Sequence, residues 1–345
     1  MSSTTNKTIH CVLYGNVAVD PVSLMFVDTP EFQRLHHIKQ TGMCFKVFPS
    51  GNHSRYVHSI GTYHLSRRVL QHLHHSLNKR EALLIQLAAL LHDIGHGPFS
   101  HVFERTIQKS ICSTWTHEKQ TIRIVHYMVH KYNIPLSQKE IEQVCAYIDP
   151  PTTCIKNWKY QIVANKYNSI DVDKMDYLQR DMFVMGLYSK VPVDRIIAGM
   201  IIKNDEICFR TNIASDIADL LFQRFRMYRQ IYQHRVVVAC DVLVEEVLNG
   251  IQNLKSYIDN IEMFVHLNDQ TIMFITNNTS AQHMLDRRTF DRSLGKNHNV
   301  MANIAGHDIL HNILKNIHLT NNTSLSDSKV PQVQMLTLLS DEDWL

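Results

Sequence analysis

Leu90-Leu91-His92-Asp93-Ile94-Gly95-His96-Gly97-Pro98-Phe99-Ser100-His101 decides how this chain is read. The stretch leaves an apolar run of helical character, Ala82 to Leu91, and then places three histidines and a carboxylate within ten residues. His92 and His96 are four apart, so on a helix they would share one face. Asp93 adds a hard oxygen donor beside a borderline imidazole nitrogen, a mixture that suits a divalent transition metal. Gly95, Gly97 and Pro98 then break the helix and let His101 enter from another direction. A lone histidine here would read as a satisfied core residue. An adjacent His-Asp pair with two more histidines reads as a metal site.

Composition limits what surrounds that site. At 345 residues, 44% hydrophobic and 19% charged, the chain is a globular protein able to bury a large core. No apolar run approaches the roughly 18 residues of a spanning helix, and the polar start Met1 to Thr8 is unlike a signal peptide. The seven cysteines are scattered and never spaced Cys-x-x-Cys. That spacing argues for reduced thiols in an intracellular setting, cytoplasmic or nuclear, and against a disulfide scaffold or zinc finger. A net charge of +3 is too small to imply nucleic-acid binding by bulk electrostatics. The 22 histidines are too many for one site, so most must be structural.

Periodicity predicts a mainly α chain with small β hairpins. Alternation over residues 7–29 indicates a strand or hairpin, and 30–40 is helix-like, with Asp28 and Thr29 as caps and Pro30 in the first turn. A helix is expected over 55–77 with His58 near its start, followed by helices at roughly 80–94, 117–132, 138–148, 172–184 and 214–250. Ile201 to Arg210 reads as a hairpin turning at Asn204-Asp205. We expect a core over residues 1–250 and a short helical extension over 251–345, loop-like or disordered at 286–303 and 321–329.

Distant segments supply what such a site needs. Asn52-His53-Ser54-Arg55-Tyr56-Val57-His58 places an arginine and a histidine three apart. In Asp171-Val172-Asp173-Lys174-Met175-Asp176-Tyr177-Leu178-Gln179-Arg180-Asp181, helical spacing puts Asp173, Tyr177 and Asp181 on one face with Lys174 adjacent. Arg224, Tyr228 and Tyr232 recur in the same way along the later helix. His58, His92-Asp93 and Asp173 match the H…HD…D signature of HD-domain metal-dependent phosphohydrolases. Asp28 to Leu35, His92 to His101, Trp115 to Glu118, Ile170 to Lys174 and Tyr232 to His234 together resemble one family more closely. It is the deoxynucleoside triphosphate triphosphohydrolases whose animal member joins a sterile-alpha-motif domain to an HD domain. The resemblance runs from about Lys7 to about Val238.

The resemblance implies an HD-domain phosphohydrolase fold and a set of roles. His58, His92, Asp93 and Asp173 would hold a divalent metal (iron, manganese, zinc or magnesium), with magnesium on the substrate phosphates. His96 and His117 would line the catalytic water, and His101 would act as general acid, with Asp173 counted in the catalytic set as well. Arg55, Lys174, Tyr177 and Arg224 would hold phosphate oxygens. Gln40 and Asp181 would meet the sugar 3′-hydroxyl, and Tyr232 and Gln233 would border the base. These types are apt: a triphosphate carries about four negative charges, which guanidinium and ammonium groups can match. An imidazole titrating near neutrality can protonate a leaving oxygen.

Departures from the family bear on regulation. Lys7, Asp28 and Gln33 match its allosteric guanine pocket, but His36 stands at the arginine position and Cys11 to Gly15 replaces the usual Asp-Pro-Ile-His-Gly turn. Val47, Phe48, Arg195, His234 and Arg235 match a second effector site, with Asp216 and Gln230 differing. The comparison implies no sterile-alpha-motif domain, a reduced carboxy-terminal lobe, and weakened control by a GTP or dNTP effector over a homo-oligomer. Thr41 replaces a leucine near the sugar's 2′ side, which implies relaxed discrimination against ribonucleotides. Two alternatives to dNTP hydrolysis stay open. One is another HD phosphohydrolase acting on monophosphates, cyclic nucleotides or alarmones; the other is a non-catalytic nucleotide- or RNA-binding regulator.

Overall fold

Helices from distant parts of the sequence meet around residues 92–101, and the described strands form two small sheets of two and three strands. The structure, a computed structural model, describes residues 7–73, 77–187, 190–275, 285 and 319–320. The loop-like stretches expected at 286–303 and 321–329 lie outside the described residues.

The N-terminal hairpin pairs β1 (Lys7–Cys11) with β2 (Gly15–Val19), in register from Lys7↔Val19 to Cys11↔Gly15. The expected alternation to residue 29 stops at β2, because Asp20 caps a helix: its side chain accepts from the Val22 and Ser23 N–H groups, and Pro21 opens α1 (Pro21–Val27). Thr29 caps α2 (Pro30–Gln33), which tightens into a 3₁₀ turn over Arg34–His37. The helix expected to reach residue 40 therefore ends early. From Ile38 the backbone is extended and pairs elsewhere, with the Ile38 carbonyl accepting from Arg55 N–H (2.9 Å) and Gln40 N–H donating to the His53 carbonyl (3.0 Å).

Three helices frame the centre: α3 (Arg55–His72), α4 (Lys79–Leu91) and α8 (Val172–Val184). α3 is buried on nearly every side, polar residues His58, Ser59, Thr62 and Ser66 included. It stops at His72 rather than running to residue 77. Gly61 is essential to its crossing with α8, since a Cβ there would lie 1.9 Å from Asp176 Oδ1 and 2.2 Å from an Arg180 nitrogen.

The expected helix to residue 94 ends at Leu91, so His92 and His96 do not share a helix face. Thr121 of α6 (His117–Tyr132) takes over the chain's polar groups here. Its hydroxyl donates to the His92 carbonyl and accepts Gly95 N–H, both at 2.9 Å. Gly95 lies so close to α6 that a Cβ would meet the His117 carbonyl at 2.2 Å. The turn then releases into α5 (His101–Ser110).

The remaining elements enclose this centre. They include α7 (Gln138–Ile148), α9 (Val193–Ala198) and the antiparallel pair β3 (Met200–Lys203) and β4 (Glu206–Arg210), with β5 (Leu319–Thr320) parallel to β4. The helix expected over 214–250 is divided. α10 (Ala214–Met227) loosens into a π turn at Tyr228–Tyr232, and α11 (Arg235–Asn249) starts afresh with His234 as its cap. Gln233 N–H donates to the Tyr228 carbonyl at 2.9 Å, a five-residue span that re-aims the chain. Beyond it, α12 (Leu254–Asp259), α13 (Ile261–Phe264) and α14 (Asp269–Ile275) fold back onto the core, where the Phe264 ring sits 6.2 Å from that of Phe103. Among the described residues no helix is long and apolar enough to cross a membrane.

Candidate active site

α3 contributes His58, the turn after α4 contributes His92 and Asp93, and α8 contributes Asp173. His58 donates through Nδ1 to Asp176 Oδ2 (2.7 Å), and His92 through Nδ1 to the Ala89 carbonyl (2.9 Å). Both partners are pure acceptors, so each ring carries a proton on Nδ1 and turns Nε2 inward. The two Nε2 atoms lie 3.3 Å apart. Asp173 Oδ1 is 3.1 Å from His58 Nε2 and 3.6 Å from His92 Nε2. Asp93 closes the group, with Oδ2 3.5 Å from His58 Nε2 and Oδ1 3.4 Å from His92 Nε2.

Lone pairs converging like this need positive charge between them. Burial opposes charge on His58, yet hydrogen bonds to Asp173 and Asp176 and the field of Asp93 push its pKa up to about 10. Burial likewise works against an ionised Asp93, but Arg55, His92 and His96 hold its carboxyl well below the usual range. Two imidazoles and two carboxylates with fixed outer partners fit a divalent cation. His58, His92 and Asp93 present donor atoms within 4.8 Å of one another.

A second group adjoins the first. The His96 and His117 rings stack at 3.9 Å with 16° between planes, and His96 Nε2 lies 3.3 Å from Asp93 Oδ1. His117 Nδ1 donates to Glu104 Oε2 at 2.8 Å. Burial would lower His117, but that bond and the neighbouring Glu118 raise it. His101, the first residue of α5, is exposed towards the cavity, with Nδ1 3.8 Å from Glu104 Oε2.

Both groups open on a cavity of about 660 Å³. Gln40, Arg55, Lys174, Tyr177, Asp181, Arg224, Tyr232 and Gln233 all line it, together with His92, Asp93, His96, His101, His117 and Asp173. The helical face Asp173–Tyr177–Asp181 is thus presented as spacing implied. Arg224, Tyr228 and Tyr232 reach the same cavity despite the π turn between α10 and α11. Asp181 is held from two sides, by His53 Nε2 (2.6 Å) and the Tyr232 hydroxyl (2.5 Å). Four buried polar atoms on the cavity's residues have no hydrogen-bond partner among the described residues: Gln40 Oε1, Arg55 Nη2, His96 Nδ1 and Arg224 Nη1. Two guanidinium donors, one amide acceptor and an imidazole nitrogen are thus unmet on residues that line the cavity.

None of the eight effector positions lines this cavity; they fall in three places. Lys7 pairs with Asp28 (2.9 Å), and Gln33 donates to the Val27 carbonyl nearby (2.8 Å). Phe48 meets His234 edge-on at 5.8 Å, with Val47 beside Phe48 and Arg235 beside His234 in sequence. Arg195 pairs with Asp216 at 3.0 Å. His36 stacks on Tyr56 at 3.7 Å.

Reading the sequence missed Glu104, Asp176 and His53, which hold His117, His58 and Asp181 respectively. Glu104 had a local signal, lying three residues beyond His101 in α5. Asp176 was inside a quoted motif but off the face that was counted.

An HD-domain family model matches residues 55–181. An HD domain-containing protein of Acanthamoeba polyphaga mimivirus is 31% identical over 79% of the chain, which spans 65% of that protein. The deoxynucleoside triphosphate triphosphohydrolase SAMHD1 homolog of Dictyostelium discoideum is 29% identical over 83% of the chain, and SAMHD1 of Bos taurus is 30% identical over 80%. The chain spans 57% and 55% of those two proteins. The chain therefore carries an HD domain, and the core that holds it resembles that of the SAMHD1 triphosphohydrolases.

Proposed function

We propose that this chain is a metal-dependent hydrolase of deoxynucleoside triphosphates, releasing deoxynucleoside and inorganic triphosphate. The observation that carries the proposal is the cation-seeking group of His58, His92, Asp93 and Asp173 beside a cavity lined by buried Arg55 and half-buried Arg224, each with one buried donor that is unmet among the described residues. A bound divalent metal would supply a more acidic water and charge neutralisation at phosphorus.

The chain's own residues do the rest. Arg55, Lys174 and Arg224 face the phosphate oxygens, where charge-assisted bonds are strongest. His96 and His117 orient the attacking water, with Glu104 fixing the His117 ring. The water's oxygen bonds to the α-phosphorus as one of its protons leaves to solvent, the bond from phosphorus to the 5′ oxygen breaks with its electron pair staying on that oxygen, and His101 passes its proton there. Asp181, pinned by His53 and Tyr232, and Gln40, with its free acceptor, take the 3′-hydroxyl. Tyr232 and Gln233 border the base. We assign control to a GTP or dNTP effector acting weakly on a homo-oligomer, because His36, stacked on Tyr56, stands where the resemblance would put the arginine of a guanine pocket.

Purified protein incubated with each dNTP and Mn²⁺ or Mg²⁺ tests the reading, with chromatography of the nucleoside products and an Asp173→Ala control. Deoxynucleoside released by the native chain alone supports it. Consumption of monophosphates or cyclic nucleotides instead would redirect the substrate, and binding without turnover would indicate a regulator.

A further inference from the structure

We propose that Asp269, outside the HD-domain match, is a positioning residue for the proposed active site: it holds the turn from Ile94 to His101 in the shape that presents His101 and braces Arg55. The inference rests on the hydrolase reading for its kinetic consequence, not for its geometry. Asp269 opens α14 and is buried at 6% exposure. Its Oδ1 accepts Phe99 N–H at 2.7 Å and its Oδ2 accepts Lys39 N–H at 3.0 Å. One carboxylate thus ties the metal-site turn to the extended segment at Lys39, which pairs with Ser54 just before α3.

The turn needs such a tie. Phe99 and Ser100 both adopt left-handed backbone, at φ 58° and 59°, which side chains other than glycine's resist and which persists only where the surroundings dictate it. The Ser100 hydroxyl donates to the Lys39 carbonyl (2.7 Å) and accepts Arg55 Nε–H (2.8 Å). Arg55 in turn pairs with Asp93. Conformation at residues 99–100 therefore reaches a metal ligand in one direction and His101 in the other. The opposite end of the turn is gripped from the same segment: buried Arg34 donates to the Leu267 carbonyl (2.8 Å) and the Ile94 carbonyl (2.6 Å). Apolar packing alone would not require a buried carboxylate and a buried guanidinium at the two ends of one turn.

Full-chain Asp269→Asn and Asp269→Ala variants test this in two ways. Hydrogen exchange needs no substrate. Peptides over residues 94–101 should exchange about tenfold faster in the alanine variant and less so in the asparagine variant, with α4 and α8 unchanged and Mn²⁺ binding retained. With a dNTP as probe, kcat should fall about tenfold or more while KM stays within about twofold. If the native chain turns over no dNTP, exchange alone decides, so failure of the substrate reading is distinguishable. Should the alanine variant fail to fold, the asparagine variant carries the test. Unchanged exchange over 94–101, or exchange raised evenly through the chain, would overturn the proposal.

Discussion

The Nε2 atoms of His58 and His92 face each other at 3.3 Å, each ring's other nitrogen being committed to an acceptor. That relationship makes the site a cation trap whose quality depends on Asp176, which fixes the His58 ring and is itself held by Tyr14 (2.9 Å) and Arg180 (2.8 Å). Outer partners of this kind typically alter metal affinity by about 10–100-fold. Asp176→Asn should weaken Mn²⁺ binding by about that factor in calorimetry, and unaltered affinity in a folded variant would count against the role.

Gly61 is demanded by packing rather than by backbone conformation. Gly61→Ala would drive a methyl group into the Asp176–Arg180 pair, with the nearest atom at 1.9 Å. Overpacking of this sort destabilises by about 1–3 kcal/mol or more, so the melting temperature should drop by several degrees. An unchanged melt would show that α3 and α8 separate easily.

Arg224 has an unmet donor on the cavity and should act on ground-state and transition-state phosphate alike. Arg224→Ala should raise KM for dNTPs about tenfold or more, the loss of a charge-assisted hydrogen bond, with fold stability kept. A KM equal to that of the native chain would remove Arg224 from the phosphate cradle.

Burial pushes the Asp269 carboxyl from its ordinary 3.8 up to about 6, against the pull of the Phe99 and Lys39 N–H donors. A folded-state value above the unfolded one means that its stabilising contribution is full below the ordinary value and fades as pH rises through 6. Relative to Asp269→Asn, the native chain should lose on the order of 1–3 kcal/mol between about pH 4 and pH 7.5. Urea melts of both proteins at the two pH values check this, and a native advantage that grows with pH would contradict it.

Much of the centre was legible because its chemistry is local. His92-Asp93 declares itself as a dipeptide, and Asp173, Tyr177 and Asp181 share a face by spacing alone. The supporting residues were not legible for a physical reason. Asp176, His53, Arg34 and Asp269 act on partners distant in the chain or set off the counted face, and a single buried polar residue leaves no periodic trace; Glu104 alone had a local cue, its i,i+3 spacing from His101. The division between α10 and α11 was hidden for the converse reason, since apolar periodicity continues across it while Gln233 and His234 re-route the backbone. The early end of α4 likewise depends on Thr121, 29 residues beyond His92.

The most direct test is hydrolysis of a dNTP in ¹⁸O-labelled water with Mn²⁺, the products read by mass spectrometry beside an Asp173→Ala control. Attack at the α-phosphorus predicts one labelled oxygen in intact inorganic triphosphate, an unlabelled deoxynucleoside, and no products from the variant. Label in the deoxynucleoside, or release of monophosphate and pyrophosphate, would contradict the mechanism, and no turnover of any dNTP would contradict the function.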